Sequence, residues 1–298
     1  MSKLTDIETH ISNVAELLNI ITAMRSLAGM RMQEAQSALS GIRNYAQDMA
    51  DAIGAMVPLL AGGSETSEDS RGRAFIVFMS EHGFVGGYNE RLIEHIGRIA
   101  HNNDHVFAIG TRGAAQLSEH GRPPQWSQSA ATRVVGAPDS VDALGDELYR
   151  RIAAHEFTAV DLVYHRYRRD GHGTIERVPL LPLDVAALAS KTDKRKPEPM
   201  FNIAPGRLVE GLASEYVFAL LTEAAVEAIA SENDSRFAVM SSAHDNVMRK
   251  LSELRQLARS ARQDDITSDL LDLITGAEAQ INGYRRRRPG AKSGVGRR

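Results

Sequence analysis

The sequence predicts an α/β fold in which two long terminal helices pair with each other and a central α/β sheet domain lies between them in the chain. Each end has apolar residues at alternating steps of three and four, which is the heptad pattern of a coiled coil. The middle has short apolar runs separated by amphipathic stretches, which is typical of strands alternating with helices.

The first helix is predicted over residues 1–58, where the apolar stripe is interrupted only at Arg25 and ended by Pro58. At the rise of a helix it would extend roughly 80 Å, far more than an ordinary globular helix. A helix of this length with one apolar stripe needs a partner helix. The stripe consists of Ile7, Ile11, Val14, Leu18, Ile21, Ala28, Met32, Ala35, Leu39, Ile42, Ala46, Met49, Ile53 and Met56.

The partner is predicted over residues 206–283, which contain no proline. Its stripe breaks at residues 262–265 and resumes in a shifted phase, which locally unwinds or overwinds a coiled coil. Residues 233–235 are the expected position of a kink. The alternative, two helices of an ordinary bundle, is less favoured because bundle helices are seldom this long. The stripe consists of Met240, His244, Val247, Leu251, Leu254, Ala258 and Ala261, then Ile266, Leu270, Leu273, Ala277 and Ile281.

The middle of the chain predicts a Rossmann-like sheet domain over residues 73–185. The first run, RAFIVFMS, is apolar throughout, as expected for a strand buried on both faces. The predicted strands are Arg73–Ser80, His105–Gly110, Thr158–Tyr167 and Thr174–Leu183. The predicted helices are Asn89–Ala100, Gly113–Glu119 and Val141–Ala154. Polar linkers are predicted at 62–72 and 190–199.

Composition narrows the class of protein. The chain has 298 residues and no cysteine, which excludes disulfides, thiolate metal sites and cysteine nucleophiles. No apolar run reaches about 18 residues, so we expect no transmembrane segment, and we expect no secretory signal. The net charge is −3, but residues 285–298 carry seven basic residues and no acid, so removing them leaves −10. This basic tail, 284–298, is predicted to be disordered.

Catalytic signals are weak. The loop HGFVGGYN follows a strand, but its glycines do not match G-x-G-x-x-G and no G-K-[ST] follows, so a structural turn is the better interpretation. His101 and His105 have the spacing of zinc ligands, but they flank a polar loop and lack the glutamate of a zincin. We therefore predict no catalytic residue, metal or cofactor.

Three ordered segments resemble the gamma subunit of F-type ATP synthases. The first helix contains NIITAMRSLAGMRMQEAQ, close to the family's lysine-rich stretch around I-T-x-A-M. The loop after the first strand reads SEHGFVGGYN, against S-D-x-G-L-C-G-G-x-N in the family. Near the end of the chain, Asp245, Asn246, Arg262–Gln263, Ile266–Thr267 and Gly276–Ala277 fall in register with family motifs.

The resemblance implies a fold and a function. The terminal helices would form an antiparallel coiled coil inside the alternating alpha–beta hexamer, with the α/β domain as a foot beside the epsilon subunit on the membrane c-ring. The chain would then be the non-catalytic central shaft of the rotary motor, coupling ion flow to ATP synthesis or hydrolysis. It would lie peripherally on the cytoplasmic face of the cell membrane, with no cofactor and no nucleic-acid partner.

The same resemblance implies contact residues. Arg262 and Gln263 match the family pair that contacts a lower loop of a beta subunit, Met24 and Arg25 lie where the first helix faces that loop, and Thr267 follows in the same motif. Arg25 also occupies a stripe position, so it could instead extend outward with a buried stem. In the foot, the turn residues carried over from the family are Gly83, Gly86, Gly87 and Asn89.

Several departures from the family suggest a divergent paralogue, of the alternative or sodium-type synthases. Family lysines are replaced by Ile21, Ser26, Gly29 or Met30, and Val85 replaces the cysteine of the turn. Two other classes of function remain as alternatives. One is a nucleotide-dependent enzyme built on the α/β domain. The other is a coiled-coil scaffold or nucleic-acid adaptor with a basic C-terminal tail.

Overall fold

The computed structural model describes residues 3–57, 72–168, 173–191 and 201–286. The predicted helix end at Pro58, most of both predicted linkers and the tail after Arg286 lie outside these residues. The helices are α1 Lys3–Met56, α2 Tyr88–Ile99, α3 Thr111–Glu119, α4 Ala137–Ala153, α5 Val185–Lys191 and α6 Pro205–Arg286. The strands are β1 Arg73–Phe78, β2 His105–Ile109, β3 Trp126–Gln128, β4 Ala159–Arg166 and β5 Thr174–Leu181.

The predicted fold class is confirmed, with additions. All four predicted strands and all three predicted central helices are present. The sequence missed the three-residue strand β3, the short helix α5 and a 3₁₀ turn at Val134–Gly136. α6 runs without interruption through Asn233, Asp234 and Ser235, where the sequence placed a kink, and Asn233 Nδ2 donates to the Ile229 carbonyl at 2.8 Å.

The five strands form one sheet in the order β3-β2-β1-β4-β5. The first four are parallel, and β5 pairs antiparallel with β4 at the edge. The order reverses beside β1, because the chain adds β2 and β3 on one side and then returns to place β4 on the other. In such a sheet the crevice at the carboxyl ends of β1 and β4 is the usual ligand position.

Side chains of β1 point alternately into two apolar cores, as the pleat of a strand requires. Ile76 and its same-face neighbours pack with residues of α1, α4 and α6, including Leu39, Leu144 and Leu221. Phe75 and Val77 pack on the other face with α2 and α3. This explains why β1 is apolar along its whole length.

The chain divides into two compact units, residues 23–242 and residues 1–22 with 243–298. In the larger unit, α1 and α6 run antiparallel, since the contacts move down α6 as they move up α1. The Gly29 position faces the Phe237 ring, Arg43 binds Glu227, and Tyr45 donates to Glu215 at 2.6 Å. The apolar stripe predicted for α1 is confirmed, since its residues are buried or half-buried.

In the smaller unit, Leu251, Leu254 and Ala261 of α6 are buried. Arg262 Nη2 donates to Glu8 Oε1 at 2.8 Å, and Glu8 is only five residues from the start of α1. The resumed stripe is therefore a correction to the sequence analysis: Ile266, Leu270, Leu273 and Ala277 are exposed, because the described part of α1 extends only five residues beyond the Glu8 that pairs with Arg262.

No helix in the described part of the chain is both long and apolar enough to cross a membrane.

Leu144 of α4 tests the core between the sheet and the long helices. It is fully buried, so Leu144→Ala should lower the free energy of unfolding by about 2–5 kcal/mol through lost burial and a residual cavity. Leu257→Ala, at an exposed position, should change it by about 0.5 kcal/mol or less. Urea unfolding followed by circular dichroism measures both, and equal effects would contradict the assigned core.

Candidate functional site

The loop between β1 and α2, residues 79–87, is the turn that the sequence motif predicted. Gly86 has φ +54°, a left-handed conformation that glycine adopts at little cost. Phe84 also has positive φ, at 62°, and its side chain is 66% exposed. Val85, in contrast, is buried, and its carbonyl accepts from the Tyr88 amide at 3.3 Å. The turn thus presents Phe84 outward while Val85 anchors it.

Asn89 closes this turn from the first turn of α2. Its Oδ1 accepts from the Ser80 amide at 3.0 Å, and its Nδ2 donates to Ser80 Oγ at 2.7 Å and to Gln116 Oε1 at 2.5 Å. The side chain is buried, so each of these bonds replaces one that water would otherwise make. Gly87 precedes α2, and its carbonyl accepts from the Arg91 amide at 3.3 Å. In the described structure Gly86 and Asn89 shape this turn, and the Gly87 carbonyl accepts the first bond of α2.

Arg236 of α6 holds the turn from the opposite side. Its guanidinium donates to the carbonyls of His82 and Gly83 at 3.3–3.4 Å and to Asn233 Oδ1 at 3.2 Å. It also pairs with Glu232, with Arg236 Nη2 2.5 Å from Glu232 Oε1. Both side chains are buried, and a buried charge is tolerated when it is paired and hydrogen-bonded.

Glu81 ties the same turn to the neighbouring strands. Its carboxylate accepts from the Thr111 amide at 3.0 Å, the Thr111 hydroxyl at 2.8 Å and the Ala130 amide at 2.8 Å. Burial by itself raises the pKa of Glu81, but these hydrogen bonds outweigh it and hold the pKa below its usual value. Glu81 therefore acts as an ionised cap for the start of α3.

The crevice between the carboxyl ends of β1 and β4 is filled by the protein's own side chains. Tyr88 and His165 pack with ring centroids 4.4 Å apart, and His165 Nε2 donates to the Tyr88 carbonyl at 3.0 Å. The Tyr88 hydroxyl donates to the Ala228 carbonyl of α6 at 3.5 Å. Burial lowers the pKa of His165 to about 4, so this imidazole is neutral at neutral pH. Tyr88 and His165 thus occupy the position where doubly wound sheets usually bind ligands.

A cavity of about 340 Å³ lies beside the turn. It brings together Met24 of α1, Gly83 of the turn and Arg236 of α6, three positions far apart in sequence. Arg31 also lines it, and the Arg31 Nε is buried without a hydrogen-bond partner in the described part of the chain. Arg25, the neighbour of Met24, does not line the cavity and is half-buried.

The remaining predicted contact residues belong to the smaller unit. The side chain of Arg262 is 64% exposed, with Glu8 as its ion-pair partner. Gln263 and Thr267 are exposed one turn apart, and the Thr267 hydroxyl donates to the Gln263 carbonyl at 2.8 Å. The predicted residues therefore form two groups, Met24 and Arg25 with the foot turn in one unit, and Arg262, Gln263 and Thr267 in the other.

Sequence reasoning missed Glu81, Glu232 and Arg236 as structural residues. One signal was available, since Glu232 and Arg236 are four residues apart on α6 and so lie on neighbouring turns. They follow the alanine-rich stretch from Ala224 to Ala230, where an exposed helix surface would carry more charge. Glu81 carried no such signal, because its partners lie 30 and 49 residues away.

The described structure thus joins a five-stranded sheet domain to long helices at both ends of the chain. Comparison with known proteins assigns the family. The family model described as ATP synthase matches residues 3–280. The ATP synthase gamma chain of Flavobacterium johnsoniae is 24% identical over 291 residues, covering 95% of this chain and 100% of the relative. That of Paracoccus denitrificans is 27% identical over 301 residues, covering 94% and 100%.

The chain therefore belongs to the ATP synthase gamma chain family, as its motifs predicted. Gamma chains are non-catalytic subunits of the rotary central stalk, and the catalytic sites of the complex are on beta.

Solved structures share the fold. A chain in the Euglena gracilis mitochondrial ATP synthase, in a structure of OSCP, F1 and c-ring, aligns with a TM-score of 0.64 and 12% identity over 97% of each chain. A chain of the Tetrahymena thermophila central stalk and c-ring aligns with a TM-score of 0.54 and 18% identity, covering 75% of this chain and 99% of that one. At these identities the likeness concerns the fold.

Gly86 and Gly83 give a matched test of the turn. Gly86→Ala should destabilise the protein by about 1–2 kcal/mol, because a side chain is strained at positive φ and the new Cβ would lie 3.2 Å from Val239 Cγ2. Gly83→Ala should be close to neutral, since nothing lies within 4 Å of its added Cβ. Thermal unfolding of both variants measures the difference, and equal melting temperatures would show that the turn is not constrained as described.

Proposed function

We propose that the chain is the shaft of a rotary F-type ATP synthase, coupling ion flow through the membrane c-ring to ATP synthesis or hydrolysis in the alpha–beta hexamer. The observation that carries this proposal is the match of the family model to residues 3–280, together with the gamma chain relatives that this chain covers almost entirely. Its partners are the alpha and beta subunits, the epsilon subunit and the c-ring. It acts peripherally, at the cytoplasmic face of the cell membrane. The departures from family lysines at Ile21, Ser26, Gly29 and Met30 support a divergent alternative or sodium-type paralogue.

We propose the same domain boundaries as the sequence analysis, each with its own role in the shaft. Residues 1–58 and 206–283 serve as the coiled coil, residues 73–185 as the foot, and residues 284–298 as the basic tail. α6 includes Tyr284, Arg285 and Arg286, and the rest of the tail lies outside the described residues.

The exposed end of α6 supports insertion into a hexamer. Large apolar side chains there are 54–70% exposed, and a contiguous apolar surface of this kind marks a contact with another protein. The residues concerned are Ile266, Leu270, Leu271, Leu273 and Ile274. If a surrounding ring contacts different faces of this helix at each catalytic site, rotation and nucleotide affinity share a coupling free energy.

Arg262, Gln263 and Thr267 are proposed to contact a beta-subunit loop, with Met24 and Arg25 contacting the same kind of loop from α1. Arg262 supports this assignment because its guanidinium has five donors and Glu8 Oε1 accepts one hydrogen bond from it, so other donors can bind a carboxylate of a neighbouring subunit. Met24 supports it by lining an open cavity next to the exposed Phe84.

Affinity purification from the native host tests the assignment to the complex. A tagged chain should recover alpha and beta subunits in excess over itself, together with ATPase activity. Recovery of the chain with nucleic acid, or without any subunit, would overturn the proposal and favour the adaptor with a basic tail.

The contact residues have a separate test. Arg262→Ala combined with Gln263→Ala should lower the ATPase rate of the assembled complex about tenfold, because a charge-assisted contact of roughly 1.4 kcal/mol is lost. Glu8→Gln is the matched control, since it breaks the ion pair within the chain and leaves Arg262 free for a partner. Full activity of the double variant, or an equal loss in Glu8→Gln, would show that Arg262 serves only the helix pair.

A further inference from the structure

The core that α6 shares with the sheet is apolar, and alanines make up half of the buried α6 residues in it. The sheet domain is here defined as residues 73–191. Four of the eight α6 residues buried in this core are alanines, Ala224, Ala225, Ala228 and Ala230, and the other four are Val217, Leu221, Val226 and Ile229. The alanine side chains allow close approach but interdigitate little, so that half of the contact offers few protrusions that oppose rotation of the helix about its own axis.

A first line of polar bonds joins α6 to the end of β4. Glu227 is completely buried and its Oε2 accepts from the Tyr167 amide at 2.9 Å. Its Oε1 pairs with Arg43 of α1 and lies 3.8 Å from Arg166 Nε. One turn later, the Ser231 hydroxyl donates to the His165 carbonyl at 2.8 Å.

A second line joins α6 to the turn after β1. Glu232 Oε2 accepts from the Glu81 amide at 3.4 Å, and Arg236 donates to the carbonyls of His82 and Gly83. With 3.6 residues per turn, the second line lies roughly 140° around the helix from the first. A single line of bonds would act as a hinge, whereas two widely separated lines fix the rotational angle of the helix.

We propose that these two lines, Glu227 with Ser231 and Glu232 with Arg236, form a torsional joint that fixes α6 to the sheet domain and transmits torque between them. The transmission of torque rests on the proposed function of the chain as a rotor shaft. These are positioning residues, since they act through the orientation of α6. The burial of three charged side chains fits this role, because directional polar bonds specify an angle at an energetic cost that apolar packing would avoid.

The joint itself is tested on the free chain. The sequence has no cysteine, so Glu94→Cys on α2 and Ala238→Cys on α6 provide two exposed positions for spin labels. Glu227→Gln with Ser231→Ala should widen the distance distribution by about twofold, because the first change removes the charge that faces Arg43 and Arg166 and the second leaves the buried His165 carbonyl without its donor. Glu223→Gln is the matched control, since Glu223 binds Arg43 of α1 at 3.0 Å and makes no hydrogen bond to the described residues of the sheet domain.

Should the double variant fold poorly, Ser231→Ala alone removes one bond of the first line and should still widen the distribution. An unchanged width in both folded variants, or the same widening in Glu223→Gln, overturns the joint.

Torque transmission is tested in the complete synthase in inverted membrane vesicles. The double variant should keep its unloaded ATPase rate within about twofold of wild type, while the ions pumped per ATP against a full gradient fall about threefold. A purely structural role would lower both readouts together, through lost assembly. Unchanged pumping per ATP in a variant with a widened distance distribution overturns the torque role. Ion pumping by vesicles from a strain in which this chain is deleted overturns the proposed function instead.

Discussion

The larger unit depends on one constraint, the close seating of α6 over the carboxyl ends of β1 and β4. Alanines at 224, 225, 228 and 230 make this approach possible, because each buries a methyl group and nothing larger. The seating has two consequences. It covers an apolar sheet face that would otherwise be exposed to water, and it brings the Ala228 carbonyl to the Tyr88 hydroxyl in the crevice. The same contact that stabilises the domain thereby removes its ligand site.

Close seating also forces charged side chains of α6 into the interior, and the structure compensates each of them. Burial raises the pKa of Glu227 and that of Glu232, while Arg43 and Arg166 near the first and Arg236 beside the second favour the ionised carboxylates. Tyr167 and Glu81 contribute backbone amides. Removing a single member would leave an unpaired buried charge, which is costlier than replacing the whole group. These residues are thus constrained as sets, although they lie on separate elements.

Local patterns in the sequence predicted most of the fold, because the strands and helices with clear periodicity of two or 3.6 correspond to observed elements. β3 was missed because three residues are too few to show a period, and α5 because it is barely two turns long. The apolar stripe from Ile266 onward was misjudged because its repeat is real, but the described part of α1 does not cover it. The predicted turn residues were found from a motif. Glu81 and Arg236, in contrast, bind residues that are 30 to 154 positions away in the sequence, and no local pattern encodes such contacts.

The packing of α6 at the carboxyl ends of β1 and β4 both occupies the usual ligand position and connects this helix to the sheet domain. A doubly wound sheet binds ligands where the strand order reverses, because loops and helix ends diverge there and leave a crevice. Filling that crevice with a helix of the same chain converts the divergent loops into anchors, since their free amides and carbonyls then bond to α6 instead of to a substrate. Opening the crevice for a ligand would require the simultaneous loss of the Tyr88, Ser231 and Arg236 bonds. The groups at this crevice therefore bond to α6, and the same interactions fix the orientation of the helix.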